Sequence, residues 1–123
     1  MIFSVNFPKA RGVRNCRKMA FLATAMLENF PELISGYIVD AKVESCCLIG
    51  SAYKTYGYAP GAPLISGEIT RITQYSSGHW LVSTREQDCF VIANFARGGR
   101  QSLMHLAELF NTAQLVRSRW RLQ

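Results

Sequence analysis

The feature that most constrains the fold of this 123-residue chain is a change in hydrophobic periodicity near residue 67. Between residues 15 and 30, apolar side chains recur at helical spacing. They are Cys16, Met19, Ala20, Ala23, Leu27 and Phe30. Residues 68–94 instead alternate between apolar and polar, which is the period of half-buried strands. We therefore predict an α+β domain in which helix 15–30 packs on a mostly antiparallel sheet containing residues 68–94.

The segments before residue 67 predict the elements of the first half of the chain. Asn15 is a suitable N-cap for the first helix, and Pro31 supplies its end. The stretches "MIFSVNF" and "GYIVDAKV" are typical of strands. The stretch "ESCCLIGSAYKTYGY" predicts a second, shorter helix.

The second half predicts further strands and a closing helix. "APGAPLISG" holds two prolines and two glycines, which predicts a loop. "EITRIT" is typical of a strand, and "TREQD" predicts the turn between two further strands. "RQSLMHLAELFNTAQL" returns to helical spacing and predicts a C-terminal helix. The tail "VRSRWRLQ" is expected to form a short last strand or a frayed end.

The composition narrows the class of protein. At this length and 49% hydrophobic residues we expect a single domain over residues 1–123 with a packed core. No apolar run approaches the ~20 residues of a membrane-spanning helix. The N-terminus has no signal-peptide pattern. These features predict a cytoplasmic protein, or one exported by a route that needs no signal peptide.

The four cysteines do not indicate a disulfide framework or a metal site. They are Cys16, Cys46, Cys47 and Cys89. Their spacing matches no small secreted scaffold, and the chain has no CxxC motif and two histidines. We expect reduced thiols, no metal and no cofactor.

The charge balance indicates an anionic partner without choosing one. Fourteen basic against eight acidic residues give a net charge of +6. The basic residues cluster at Lys9, Arg11, Arg14, Arg17 and Lys18, and again at Arg117, Arg119 and Arg121. Nucleic acid, anionic membrane surfaces and acidic proteins all suit such a surface, and so does plain solubility.

Three residues have the types that nucleophilic catalysis needs. Cys16 opens the predicted helix, where the dipole and the neighbouring Arg17 and Lys18 favour a thiolate. His79 begins one predicted strand and can accept the thiol proton, while Asn94 ends the next and can orient the imidazole. Each residue also has a structural interpretation, because cysteine is often buried and asparagine favours turns. Cys89 is the chief rival nucleophile.

The order of these residues resembles the papain-like cysteine peptidases, and most of all the double-glycine (bacteriocin-processing) peptidases. The resemblance rests on "NCRKMAFLATAML", "GHWLVS" and "FVIANFARGGRQSLMHLAELF". It implies a papain-like fold and a catalytic Cys16, His79 and Asn94. Where the family has glycine after the cysteine, this chain has Arg17. The family's oxyanion-binding glutamine is also missing, which leaves the amides of Asn6 and Asn15 as candidates.

Two functions from different classes follow from the sequence. The first is a cysteine peptidase or an amidase/deamidase that acts on an amide bond of a protein or peptide substrate. The alternative is a small non-catalytic basic protein, of the kind that mobile elements carry, which binds nucleic acid or inhibits a nucleic-acid-handling complex. Tyr53, Tyr56 and Tyr58 beside Lys54 can stack on bases, or form a half-buried helix end.

Overall fold

The computed structural model describes the backbone of residues 9–122 and the side chains of residues 16–114. Two helices and five strands follow one another along the chain. They are α1 (Lys9–Leu27), β1 (Gly36–Glu44), β2 (Cys47–Tyr53), β3 (Ala62–Gln74), β4 (Trp80–Thr84), β5 (Cys89–Ile92) and α2 (Gly99–Leu122). The predicted α+β class, with an N-terminal and a C-terminal helix around the strands, is confirmed.

The five strands close into a barrel in the order of the chain. Each strand pairs antiparallel with the next. β5 then closes the barrel against β1 in parallel, with Gly36 opposite Phe90 and Ile38 opposite Ile92. The sheet is therefore mostly antiparallel, as predicted, and closure leaves it few free edges.

The interior of the barrel holds the larger of two apolar clusters. Strand residues such as Ile38, Leu48 and Val82 meet Leu103 and Leu106 of α2 there. α2 approaches β1 closely because it begins at a glycine. A Cβ atom on Gly99 would overlap the carbonyl oxygen of Ala41. α2 thus packs against the barrel as part of its core.

A second cluster lies on the outer face of β4 and β5. Ala25 of α1 packs there against Leu81, Cys89 and Val91, together with Phe30 from the segment after α1. Successive residues of a strand face opposite sides, and here both sides are covered. This explains why the two strands are apolar almost throughout.

The first helix begins earlier than the sequence predicts. α1 starts at Lys9 and ends at Leu27, so Asn15 is not its cap and Cys16 lies about two turns inside it. The apolar spacing begins only at Cys16, but the preceding segment is rich in Lys, Arg and Ala, which are strong helix formers. A segment of mostly charged and small residues has no apolar periodicity from which a helix could be predicted.

The predicted second helix is wrong, because its residues form β2. Ser45 and Cys46, with φ of 52° and 62°, make a two-residue turn that pairs Glu44 with Cys47. Turns of this kind usually contain Asn-Gly. The Ser-Cys sequence at these two positions therefore did not predict a hairpin. The short apolar run that follows suits a buried strand as well as a helix.

Two further boundaries differ from the prediction. The predicted loop "APGAPLISG" contains the first half of β3, which starts at Ala62. Residues 116–122 of the tail "VRSRWRLQ" belong to α2 and form neither a strand nor a frayed end. The predicted first strand "MIFSVNF" lies outside the described residues. No helix in the described part of the chain is long and apolar enough to cross a membrane.

Candidate functional site

Cys16 is exposed on α1, and no hydrogen bond of its sulfur occurs among the described side chains. The helix dipole acts mainly on the first turn, and Cys16 lies about two turns further along. The helix dipole is therefore no reason to expect an activated thiolate at this position.

His79 forms a network with the segment that follows α1. Its Nδ1 atom lies 2.6 Å from Oε1 of Glu28. Ser77 donates a hydrogen bond of 2.7 Å to the other oxygen of the same carboxylate. The imidazole also meets the ring of Phe30 edge-on, with centroids 6.3 Å apart. Glu28, rather than Asn94, thus orients His79.

Asn94 belongs to a different network around a bulge in β1. Its Oδ1 accepts a hydrogen bond of 2.9 Å from the backbone N–H of Asp40, and its Nδ2 donates one of 3.1 Å to Oδ1 of Asp40. The second carboxylate oxygen of Asp40 lies 2.7 Å from Nζ of Lys18. Asp40 has a φ of 56°, which is costly for a residue other than glycine. Asn94 therefore holds this strained bulge and ties it to α1 through Lys18.

His79 and Asn94 belong to separate hydrogen-bond networks. His79 immediately precedes Trp80, which pairs with Ile92, and Asn94 follows Ile92 by two residues. Each therefore lies just beyond the paired residues of its strand, where His79 contacts Glu28 and Asn94 contacts Asp40.

The Cys16–His79–Asn94 site stays a prediction, and no hydrogen bond among the described side chains joins its members. The two amides expected to bind the oxyanion fall outside the described side chains. Asn6 precedes the described residues, and the side chain of Asn15 lies outside the described part. The rival thiol, Cys89, is buried in the outer cluster, and this burial raises its pKa above the ordinary value. Cys89 is thus held as a thiol.

We expect iodoacetamide to modify the exposed Cys16 and Cys46 long before the buried Cys89, because alkylation requires both access and thiolate. Replacing His79 with alanine should leave the rate at Cys16 unchanged. The measurement is a time course of modification, resolved by peptide mass spectrometry. A marked slowing at Cys16 in the His79→Ala variant would instead support the catalytic prediction.

The Glu28 network makes the stability of the folded state depend on pH in the acidic range. The hydrogen bond from Ser77 is the largest cause that lowers the pKa of Glu28 below its ordinary 4.5, and His79 adds to it. A lowered carboxyl pKa stabilises the folded state above the ordinary value, and this stabilisation is lost as the pH falls through the lowered pKa. We expect the melting temperature to fall less between pH 5 and ~3 in Glu28→Gln than in wild type. Glu108→Gln, at an exposed position of α2, is the control and should behave as wild type.

The excess positive charge belongs to the helices and not to the barrel. Residues 28–98 contain seven acidic and five basic residues, a net charge of −2. Residues 9–27 contain five basic and no acidic residues, and residues 99–122 contain four basic and one acidic. Two of the barrel's cations are paired, Lys42 with Glu44 and Arg85 with Glu68, and Lys18 of α1 is paired with Asp40. Arg17 of α1 is exposed. An anionic partner would therefore meet the helices first.

The three tyrosines lie at the end of β2 and in the loop after it, and not on a helix. Tyr53, Tyr56 and Tyr58 line a cleft of about 460 Å³ together with Leu22 of α1. Tyr56 is fully exposed. Lys54 shares this cleft, so the aromatic surface carries one positive charge.

The chain matches no protein-family model, no curated protein and no solved structure. Among the residues that the structure describes, no group of three His, Cys, Asp or Glu side chains is arranged to hold a metal ion.

Proposed function

We propose that the protein is a non-catalytic binding protein that engages the phosphates of nucleic acid through α1 and α2, with the barrel as their scaffold. The observation that carries this proposal is the separation of charge. The barrel segment has a net charge of −2, whereas the α1 segment alone carries +5. Evenly scattered basic residues would serve solubility, but a segregated charge creates a directed field.

The geometry of α1 suits a polyanion. A helix of 19 residues is about 28 Å long. Arg11, Arg14 and Arg17 are spaced by three residues, so their Cα atoms follow one side of the helix. Duplex DNA presents one negative charge per ~1.7 Å of its axis, which gives such a row several phosphates to contact. Release of condensed counterions then favours binding.

The hydrogen-bond networks also favour binding over catalysis. His79 and Asn94 each have a structural partner, Glu28 and Asp40, that stabilises the packing of the chain. Lys18 connects one of these networks to α1. The basic helix is thus held against the barrel by specific polar contacts. Because the helix is already ordered, less conformational entropy is lost on binding.

The test is a fluorescence anisotropy titration of labelled single-stranded DNA, duplex DNA and RNA of equal length with the full chain. Lys18 is paired with Asp40, so four basic residues of α1 remain to contact phosphates. Four contacts predict a slope of log affinity against log salt of about −3.6 on duplex DNA. Affinity should therefore fall roughly a hundredfold between ~50 and ~200 mM salt. Anionic phospholipid vesicles serve as the comparison. Absence of binding to all three nucleic acids at the lowest salt, or binding to the vesicles alone, would overturn the proposal.

A further inference from the structure

Among the described strands, only β2 pairs with the first half of β3. β3 pairs with β2 from Ala62 to Glu68 and with β4 from Ile69 to Gln74. Within residues 9–122, no strand pairs with the other edge of residues 62–67. The wall of the barrel is open there, between β3 and the start of β5.

Pro63 identifies the atoms that face this opening. Proline has no backbone N–H, and in sheets it is confined to edges, with its nitrogen directed away from the neighbouring strand. Pro63 lies opposite Ser51 of β2, so its nitrogen is directed toward the opening. Backbone groups alternate along a strand with a period of two residues. The N–H and C=O of Ile65 are therefore directed to the same free edge.

The opening forms a cleft of about 540 Å³ with an unusual concentration of exposed apolar side chains. Leu33 is 93% exposed, Tyr56 100%, Ile65 70% and Tyr58 42%. All four line this cleft. Single exposed apolar residues are common on proteins, but a contiguous patch of them marks an interaction site.

The charge of the cleft is negative. Glu86 and Asp88, from the turn between β4 and β5, line one end of it. Neither carboxylate forms an ion pair within the part of the chain that the structure describes. Lys54 lines the cleft as well and offsets one of the two charges. A nucleic acid is thus repelled here, and a cation is attracted.

We propose that this cleft binds an extended segment of a partner protein, with alternate apolar side chains and at least one Lys or Arg. The segment adds beside β3 and exchanges backbone hydrogen bonds with Ile65. Its apolar side chains pack on Leu33 and Tyr56, and its cation meets Glu86 and Asp88. This surface is separate from the basic helices, so the inference goes beyond the proposed function. The protein then joins a nucleic acid to a basic peptide segment.

The experiment is selection of a phage-displayed library of random peptides on the immobilised full chain. We expect the enriched peptides to contain Lys or Arg among apolar residues. Synthetic copies should bind at least tenfold more weakly to the Glu86→Gln/Asp88→Asn and Tyr56→Ala variants. Glu108→Gln is the matched control, because it removes one acidic residue at an exposed site of α2, and it should leave peptide affinity unchanged.

Three results would overturn this inference: no enrichment over an uncoated surface, enrichment of acidic peptides, or equal loss of affinity in Glu108→Gln. Nucleic-acid binding by the two cleft variants, measured in parallel, separates the surfaces. We expect it to be unchanged or slightly tighter, since Glu86→Gln/Asp88→Asn removes two negative charges. If no peptide is enriched and the cleft variants lose nucleic-acid binding, the cleft binds the nucleic acid. The peptide proposal is then wrong.

Discussion

Replacing Leu103 with alanine is expected to lower the free energy of unfolding by about 2–5 kcal/mol, the usual cost of removing a buried leucine side chain. Leu103 is fully buried, and together with Leu106 it packs α2 against the interior cluster of the barrel. Truncation leaves a cavity in the interior cluster that the closed barrel cannot easily collapse around. At about 4 °C per kcal/mol for a domain of this size, the melting temperature should fall by roughly 10 °C or more.

The control for this prediction is Leu109→Ala, on the same helix. Leu109 is 53% exposed, so its truncation should change stability by no more than about 0.5 kcal/mol. Urea unfolding followed by circular dichroism measures both variants, and the slope with urea should be the same for the two. Equal effects of the two substitutions would contradict the packing of α2 as part of the barrel core.

The second large effect is expected from neutralising α1. The triple variant Arg11→Gln, Arg14→Gln, Arg17→Gln keeps good helix formers at all three positions. Each lost phosphate contact removes about 0.9 from the salt slope, so duplex affinity near 0.15 M salt should fall by about a hundredfold. Anisotropy titration at this salt concentration measures the change. An affinity within threefold of wild type would contradict the role assigned to α1.

Part of the fold could be predicted from sequence because its signals are local. The spacing of apolar residues gave α1 and α2, and alternation around "TREQD" gave the hairpin of β4 and β5. The β1–β2 hairpin was missed, since Ser45 and Cys46 adopt positive φ without the usual Asn-Gly sequence. Barrel closure was missed as well. It rests on the parallel pairing of β1 and β5, which are distant in sequence, and no local pattern reports such a contact.

The candidate site was harder to predict, because it depends on contacts between residues distant in sequence. The residue types and order around His79 and Asn94 suit catalysis, but the two side chains hydrogen-bond to different partners, Glu28 and Asp40. Glu28, the partner of His79, is 51 residues away in sequence and lies just beyond the end of α1. Only the packing of α1 on the outer face of the barrel brings it there.

The net charge could be read from the sequence, but its distribution between the helices and the barrel required the structure. The net charge of +6 is compatible with several partners. Once the boundaries of α1, the barrel and α2 are known, nearly all the acidic residues prove to lie in the barrel segment. The positive net charge therefore comes from the two helices, and the barrel that supports them is weakly acidic.

The most direct test of this account compares the salt slopes of two triple variants with equal net charge. One is Arg11→Gln, Arg14→Gln, Arg17→Gln in α1, and the other is Arg71→Gln, Arg85→Gln, Arg97→Gln in the barrel segment. Each lowers the charge by three from +6. If α1 holds the phosphates, the slope on duplex DNA falls by about 2.7 in the first variant and stays at the wild-type value in the second. Equal slopes in the two variants would show that net charge alone governs binding and would contradict the account.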